Sequence, residues 1–226
     1  MKSVLIVGLG RFGQHLCRKM VELGNEVMVI DIDEECVEEM MAIATNAQIG
    51  DCTKPEVLKS LGIANFDMCF VCIGTNFQNS LEVTSLLKEY GAKYVVSKAT
   101  REIHEKFLLR NGADEVVYPE RDMARDYAVR YSADHIFDYI GVDDQHSIYE
   151  IPVAAEWVGK SLRELDFRDT YKVNILGIKK GEETTLLPMA DHKFDREEHL
   201  MIIGRIEHVD KLLEKFEHEK GKRNFR

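Results

Sequence analysis

The chain has 226 residues, of which 45% are hydrophobic and 31% charged, a composition typical of a folded protein with one domain of average size and a smaller second one. Its formal net charge of -10 repels nucleic-acid phosphates, so no nucleic acid is expected as a partner. No apolar run reaches the roughly 18–20 residues of a membrane-spanning helix, and the apolar N-terminus is interpreted as a buried strand, so we expect a cytoplasmic protein.

Short apolar runs alternate with amphipathic stretches in the first part of the chain, which predicts strands alternating with helices. The predicted strands cover residues 3–8, 26–32, 47–51, 66–74, 93–99 and 115–118. The predicted helices between them cover residues 12–23, 34–43, 55–61, 78–90 and 102–111. The fold class is therefore expected to be α/β, with a Rossmann-like doubly wound parallel sheet that binds its ligand at the carboxyl ends of the strands.

The pattern changes after Pro119. A polar-faced helix is predicted over 122–133, and a small α+β domain follows it. Strands are predicted in that domain at 147–153, 173–179, 184–187 and 199–203, with helices at 161–166 and 209–218. The expected organisation is a nucleotide-binding domain over 1–120, a crossover helix and linker over 121–140, and the α+β domain over 141–220. The second domain is short for a catalytic domain.

A glycine-rich loop of the GxGxxG type, Gly8 to Gly13, follows the first predicted strand and opens a helix. Gly8 is expected to permit the tight turn, Gly10 to let a pyrophosphate approach the backbone, and Gly13 to let the helix pack closely. Asp31 ends the second strand roughly 20 residues further on, where a carboxylate hydrogen-bonds ribose hydroxyls and repels a 2′-phosphate. The loop and the acid predict a nucleotide site that disfavours NADP.

Charged side chains near the loop refine the expected ligand. The guanidinium of Arg11 suits ADP or ATP at least as well as NAD, although a surface ion pair would also explain it. Asp51 is expected either to contact adenine or ribose or to cap the next helix. Glu120 beside a polyphosphate implies a bound cation or a second subunit. The expected cofactor-binding residues are Gly8, Gly10, Arg11, Phe12, Gly13, Asp31, Asp33, Asp51, Cys52, Gly74, Thr75, Asn76, Lys98, Arg101 and Glu120.

The sequence offers no pattern typical of a catalytic site. Five cysteines argue against a disulfide framework, and Cys69 and Cys72, three apart on a predicted strand, should point to opposite faces. The eight histidines are interpreted as isolated core or surface residues. The chain is therefore expected not to be an enzyme, and the nucleotide to be a signal.

These residues resemble the RCK family, the TrkA-N plus TrkA-C proteins, and most closely the regulatory gating subunits of Ktr-type bacterial potassium uptake systems. The resemblance covers nearly the whole chain. It rests on the arginine in the glycine loop and on four further segments, Val29-Ile30-Asp31, Tyr118-Pro119-Glu120, Leu165-Asp166-Phe167-Arg168 and Val173-Asn174-Ile175-Leu176.

The resemblance implies a cytoplasmic protein, peripheral to the membrane, whose N-terminal domains form dimers and an octameric ring. ATP or ADP would bind the loop, and NAD(H) could use the same cleft. Whether ATP or ADP is bound would control the gating of a separate membrane potassium-translocating subunit. Arg11 would read the terminal phosphate, Asp31 would hold the ribose, and Glu120 from a neighbouring subunit would hold Mg²⁺ or a monovalent cation. Cyclic di-AMP would bind between paired C-terminal domains at Arg168, Asn174, Ile175 and Pro188.

Two alternatives stay open at this stage. An NAD-dependent oxidoreductase with a small second domain shares the glycine loop, but it needs an acid or base beside the hydride acceptor, which the sequence does not reveal. A nucleotide-sensing module of another channel or antiporter differs from the leading interpretation only in its partner.

Overall fold

A computed structural model divides the chain into two compact units, Met1–Arg121 and Asp122–Arg226. It describes residues 1–132, 136–143 and 145–223, with the backbone alone at 215 and over 217–223. The predicted helix end at 133 lies outside the described residues. No helix in these ranges is both long enough and apolar enough to cross a lipid bilayer.

The first unit is a six-stranded parallel sheet with strand order β3-β2-β1-β4-β5-β6. Its strands are β1 (Ser3–Val7), β2 (Glu26–Asp31), β3 (Asn46–Ile49), β4 (Met68–Val71), β5 (Val95–Lys98) and β6 (Glu115–Val117). Its helices are α1 (Arg11–Glu22), α2 (Glu34–Met41), α3 (Pro55–Leu61), α4 (Phe77–Glu89) and α5 (Glu102–Arg110). The order reverses at β1 and β4, and the α/β prediction is confirmed.

Both faces of this sheet are buried, as a parallel sheet requires. Along β1, Leu5 belongs to one apolar cluster and Val4 to the cluster on the opposite face. Cys69 lies in the first cluster and Cys72 in the second, so the prediction that they point to opposite faces is confirmed. The continuous apolar run of β1 therefore reflects burial on two sides.

The helix α6 (Pro119–Ser132) begins three residues before its predicted start, because Pro119 occupies its first position, where a missing N–H costs nothing. The second unit then forms an antiparallel sheet with strand order β10-β9-β11-β8-β7. Its elements are β7 (Asp138–Gly141), β8 (His146–Pro152), α7 (Leu162–Leu165), α8 (Phe167–Tyr171), β9 (Val173–Lys180), β10 (Glu183–Leu186), β11 (Glu198–Arg205) and α9 (Ile206–Arg223).

Trp157 forms the centre of the second unit's core. It is fully buried, and its ring lies 4.9 Å from that of Phe167 and 5.8 Å from that of Phe216, centroid to centroid. Its indole N–H donates to the hydroxyl of Tyr171 at 3.1 Å, so the polar atom of the ring is satisfied within the core.

Candidate functional site

The glycine loop has the strained and close-packed geometry that two of its glycines predict. Gly8 has φ +98°, and a Cβ there would lie 3.1 Å from the backbone of Cys72 and Ile73. A Cβ on Gly13 would lie 2.1 Å from the carbonyl oxygen of Gly8, so α1 and β1 approach as closely as they do only because Gly13 has no side chain. Both predicted roles are confirmed.

Gly10 differs, because its backbone conformation, φ −61° and ψ 176°, suits any residue. No atom lies within 4 Å of the position of a Cβ on Gly10. Gly10 is also the N-cap of α1, which has no side-chain cap and no acidic residue in its first turn. The helix therefore offers uncapped N–H groups to an anion, with open space in front of them.

A cavity of about 340 Å³ opens beside the loop, at the carboxyl ends of β1 to β4 where the strand order reverses. This volume falls in the range of small-molecule sites. We call it the loop cavity. Eight of the predicted residues line it, namely Gly8, Gly10, Asp31, Asp51, Cys52, Gly74, Thr75 and Asn76. Apolar residues that the sequence analysis missed also line it, namely Val7, Ile30, Ile32, Ile73 and Val83.

Asp31 is fixed at the edge of this cavity by the backbone. Its Oδ2 accepts a short hydrogen bond from the Leu9 N–H, and its Oδ1 accepts one from the Asp33 N–H at 3.0 Å. The carboxylate is thereby held against the glycine loop, and each oxygen retains a lone pair for a ribose hydroxyl.

Asp33 has a structural role at the start of α2, and its expected contact with a cofactor stays a prediction. It is exposed, is not among the residues that line the loop cavity, and caps α2 by accepting from the N–H groups of Glu35 at 3.0 Å and Cys36 at 3.3 Å. Asp at an N-cap satisfies the free donors of the first turn, which explains the residue without a ligand.

Asp51 orders the turn after β3. Its Oδ1 accepts from the N–H and the hydroxyl of Thr53, at 2.9 and 2.7 Å, and these hydrogen bonds lower the pKa of Asp51. The N-cap of α3 is Lys54, so the helix cap that was one of the two expectations for Asp51 does not form. Burial raises the pKa of the neighbouring Cys52 thiol to about 12, so Cys52 lines the cavity as a neutral group.

Asn76 begins α4, and its side chain accepts from the Asn79 N–H at 3.0 Å. Its side-chain oxygen is therefore engaged in capping, and Asn76 lines the cavity together with Thr75 and Gly74. Arg101 stands at the N-cap of α5, is exposed, and lies outside the lining of the cavity.

A charged cluster of Arg11, Lys98 and Glu120 lies beside the loop. The Lys98 ammonium donates to Glu120 Oε1 at 2.6 Å and lies 5.6 Å from the centre of the Phe12 ring. The hydrogen bond from Lys98 lowers the pKa of Glu120, and the charge of Arg11 lowers it further. Lys98 of the same chain therefore pairs with Glu120, an ion pair that the sequence did not predict.

No three His, Cys, Asp or Glu side chains within the described ranges come close enough together to hold a metal ion. Glu120 is the one residue predicted to contact a cation, so phosphate oxygens or a second subunit would have to supply the other ligands of that cation. The cation stays a prediction.

The structure brings together part of the predicted C-terminal site. Arg168 donates from Nε to Asn174 Oδ1 at 2.9 Å, both side chains are exposed, and Ile175 follows, half-buried against the core. Pro188 lies along a separate cavity of about 450 Å³, whose lining includes none of the other three.

Two histidines of the second unit, His199 and His192, are not isolated, contrary to expectation, whereas His135 and the side chain of His218 lie outside the described residues. His199 Nδ1 lies 2.7 Å from Glu150 Oε1, and the Lys179 ammonium donates to Glu150 Oε2 at 2.9 Å. Burial alone would raise the pKa of Glu150, but the hydrogen bonds from Lys179 and His199 outweigh it and lower the pKa. Likewise His192 Nε2 lies 3.1 Å from Glu198 Oε2. These pairs join residues far apart or on different elements, so spacing could not reveal them.

Comparison with known proteins gives a consistent assignment. Residues 4–119 match the TrkA-N domain and residues 147–217 the TrkA-C domain. The Ktr system potassium uptake protein C of Bacillus subtilis is 40% identical over 97% of this chain and 99% of its own length. The Ktr system potassium uptake protein A of the same organism is 35% identical over 96% of each chain.

Solved structures agree on the fold. The RCK domain of GsuK superposes with a TM-score of 0.64 at 18% identity over 94% of this chain, and the GsuK channel bound to NAD with a TM-score of 0.63 at 17% identity over 92%. This chain spans 47% and 38% of those two longer chains. From the matched domains and the full-length relatives, the chain belongs to the RCK family of TrkA-N plus TrkA-C proteins, with the Ktr potassium uptake proteins as its relatives.

Proposed function

We propose that this chain is the cytoplasmic regulatory subunit of a Ktr-type potassium uptake system. It binds ATP or ADP in the loop cavity and gates a membrane potassium-translocating subunit. Full-length similarity to two Ktr potassium uptake proteins supports the transport role. The same relatives disfavour the oxidoreductase alternative, because they are named for transport and not for catalysis.

One observation carries the nucleotide part of the proposal. The uncapped N-terminus of α1 faces open space at Gly10, and Asp31 is held at the other side of the same loop. A helix N-terminus attracts phosphate and a fixed carboxylate accepts ribose hydroxyls, so the pair matches the two polar parts of a nucleoside polyphosphate. NAD(H) has the same two parts and is a further ligand of this cavity, whereas Asp31 repels the 2′-phosphate of NADP.

Arg11 is the proposed sensor of the terminal phosphate. It is exposed at the first position of α1 and forms no ion pair with the described residues within 4 Å, so its guanidinium is available to a ligand. A nucleotide shifts a protein between two shapes only by its difference in affinity for them, and each site typically contributes about 1–3 kcal/mol of coupling. Dimers assembled into an octameric ring would add such contributions, with a cation at Glu120 joining the phosphates to a neighbouring subunit.

The C-terminal unit is proposed to bind cyclic di-AMP between two copies, through Arg168, Asn174, Ile175 and Pro188. The exposed hydrogen-bonded pair of Arg168 and Asn174 supports this, because it presents a guanidinium that is positioned before any ligand arrives. Replacement of Arg168 by alanine should abolish cyclic di-AMP binding in calorimetry while ATP binding is kept.

Calorimetric titration with ADP, ATP, NADH and NADPH tests the nucleotide site. ATP and ADP should bind, NADPH should not, and Arg11→Ala should remove the preference between ATP and ADP. Arg18→Ala is the matched control, since Arg18 is exposed on the same helix farther from the loop. Potassium flux through the reconstituted membrane subunit should then differ between ATP and ADP. Absence of ATP and ADP binding would overturn the proposal.

A further inference from the structure

Lys98 is not itself part of the lining of the loop cavity, but its ammonium lies beside a residue of that lining, beside the first turn of α1 and beside the first turn of α6. Its ammonium is 5.6 Å from the Phe12 ring centre and 3.8 Å from the position that a Cβ on Gly74 would take. Gly74 lines the loop cavity, and Phe12 is in the first turn of α1. The ammonium is therefore at the phosphate end of the proposed nucleotide site.

Burial makes this lysine unusual. The Lys98 side chain is only 12% exposed, whereas its partner Glu120 is 61% exposed. A lysine ammonium has three donors, and Glu120 is the one acceptor within hydrogen-bond distance of it in the described part of the chain. A nearly buried cation needs an anion close by, and here an exposed surface carboxylate supplies it.

We propose that the Glu120 carboxylate pairs with the Lys98 ammonium as an internal substitute for phosphate, and that the phosphate of a bound nucleotide displaces Glu120 from Lys98. Lys98 is then a second residue, besides Arg11, that reads phosphate charge. The inference rests on the proposed nucleotide site, and it adds that Glu120 and the nucleotide phosphate compete for Lys98.

The exchange also affects α6, the helix through which the chain passes from the first unit to the second. Glu120 is the second residue of α6, and residues of this helix from Asp122 onward belong to the second unit. Release of Glu120 frees the first turn of α6 from β5 and leaves its carboxylate available to a cation. A phosphate thus changes a contact of α6 without touching that helix.

Replacement of Glu120 by glutamine gives the sharpest test. In calorimetry with EDTA and choline chloride as the salt, Glu120→Gln should bind ATP about two- to five-fold more tightly than the unmodified chain, the range expected from loss of a partly exposed ion pair. Lys98→Met should bind ATP at least about tenfold more weakly, since it loses a charge-assisted hydrogen bond. In the Lys98→Met background, Glu120→Gln should give no gain.

Each of the following results would overturn the inference. A gain from Glu120→Gln that persists without Lys98 would mean simple repulsion of phosphate, and no gain at all would mean no competition. Unchanged ATP affinity in Lys98→Met would show that Lys98 does not contact the nucleotide. If the methionine variant does not fold, Lys98→Gln is measured instead. Absence of ATP binding to the unmodified chain would overturn the proposed function as well.

Glu105→Gln is the matched control. Glu105 forms an ion pair of 2.7 Å with Arg121, which is close to the 2.6 Å between Lys98 and Glu120. This ion pair also involves the first turn of α6, but it does not involve Lys98. Glu105→Gln should leave ATP affinity unchanged. An equal gain from both variants would trace the effect to the helix turn and not to competition for Lys98.

Discussion

The α-carbon of Gly13 packs against the carbonyl oxygen of Gly8, so closely that a Cβ on Gly13 would lie 2.1 Å from that oxygen. The obstructing atom is backbone and cannot rotate away. Gly13→Ala should therefore push α1 from β1 and lower the free energy of unfolding by about 1–3 kcal/mol or more. Urea denaturation followed by circular dichroism measures this, and unchanged stability would contradict the packing.

Gly10→Ala should behave in the opposite way. Because no atom lies within 4 Å of the added methyl and the backbone conformation suits alanine, stability should change by less than about 0.5 kcal/mol. The methyl would occupy the space proposed for the phosphates, so ATP affinity should fall by about tenfold or more. Calorimetry on both glycine variants separates folding from binding, and normal ATP affinity in Gly10→Ala would place the phosphates elsewhere.

His104 predicts a dependence of stability on pH. It is fully buried in α5, and burial, aided by the charge of Arg101, lowers its pKa below the ordinary value near 6.5. Below about pH 6.5 the unfolded chain therefore binds a proton at His104 that the folded chain does not bind. The free energy of unfolding should consequently fall as pH decreases from about 6.5 to the folded-state pKa.

His104→Leu should flatten that part of the stability profile, measured by urea denaturation between about pH 5 and 8. His15→Leu, which replaces an exposed histidine of α1, is the matched control. Equal slopes in the unmodified chain and His104→Leu would show that His104 takes up its proton over the same pH range in the folded and the unfolded chain, which would contradict the lowered pKa.

Two adjacent lysines of β9 should differ in their effect on stability. Lys179 holds the buried carboxylate of Glu150, so Lys179→Met should cost about 1–3 kcal/mol by leaving that charge with His199 alone. Lys180 pairs with Asp195 at 2.6 Å, but both side chains are about half exposed, so Lys180→Met should cost less than about 1 kcal/mol. Equal costs in urea denaturation would contradict this difference in burial.

The sequence predicts the parallel sheet well because each strand is a local apolar run and each helix is amphipathic. It fails at β7, where Tyr139 and Ile140 are the only large apolar residues and pairing with β8 makes the strand. The predicted strand over 66–74 is also too long, since the chain leaves the sheet after Val71 while Cys72 and Ile73 remain apolar to line the cavity.

The candidate site divides in the same way. Residues that follow strand ends, such as Asp31, Asp51 and Gly74, could be predicted because topology brings strand ends together. The contact of Lys98 with Glu120 could not, because it depends on how far two side chains from different elements extend. The helix cap formed by Asp33 was also not predicted, because an acid near a nucleotide motif was interpreted as a ligand contact.

Trp157 is the one tryptophan in the sequence, and it lies in the core of the second unit. Fluorescence excited at the red edge of protein absorption therefore originates in that unit alone, without any label. Circular dichroism records the helices of both units. Divergence of the two signals during denaturation would show that the units unfold separately, and a change in emission on addition of ATP would show that a ligand of the first unit is felt in the second.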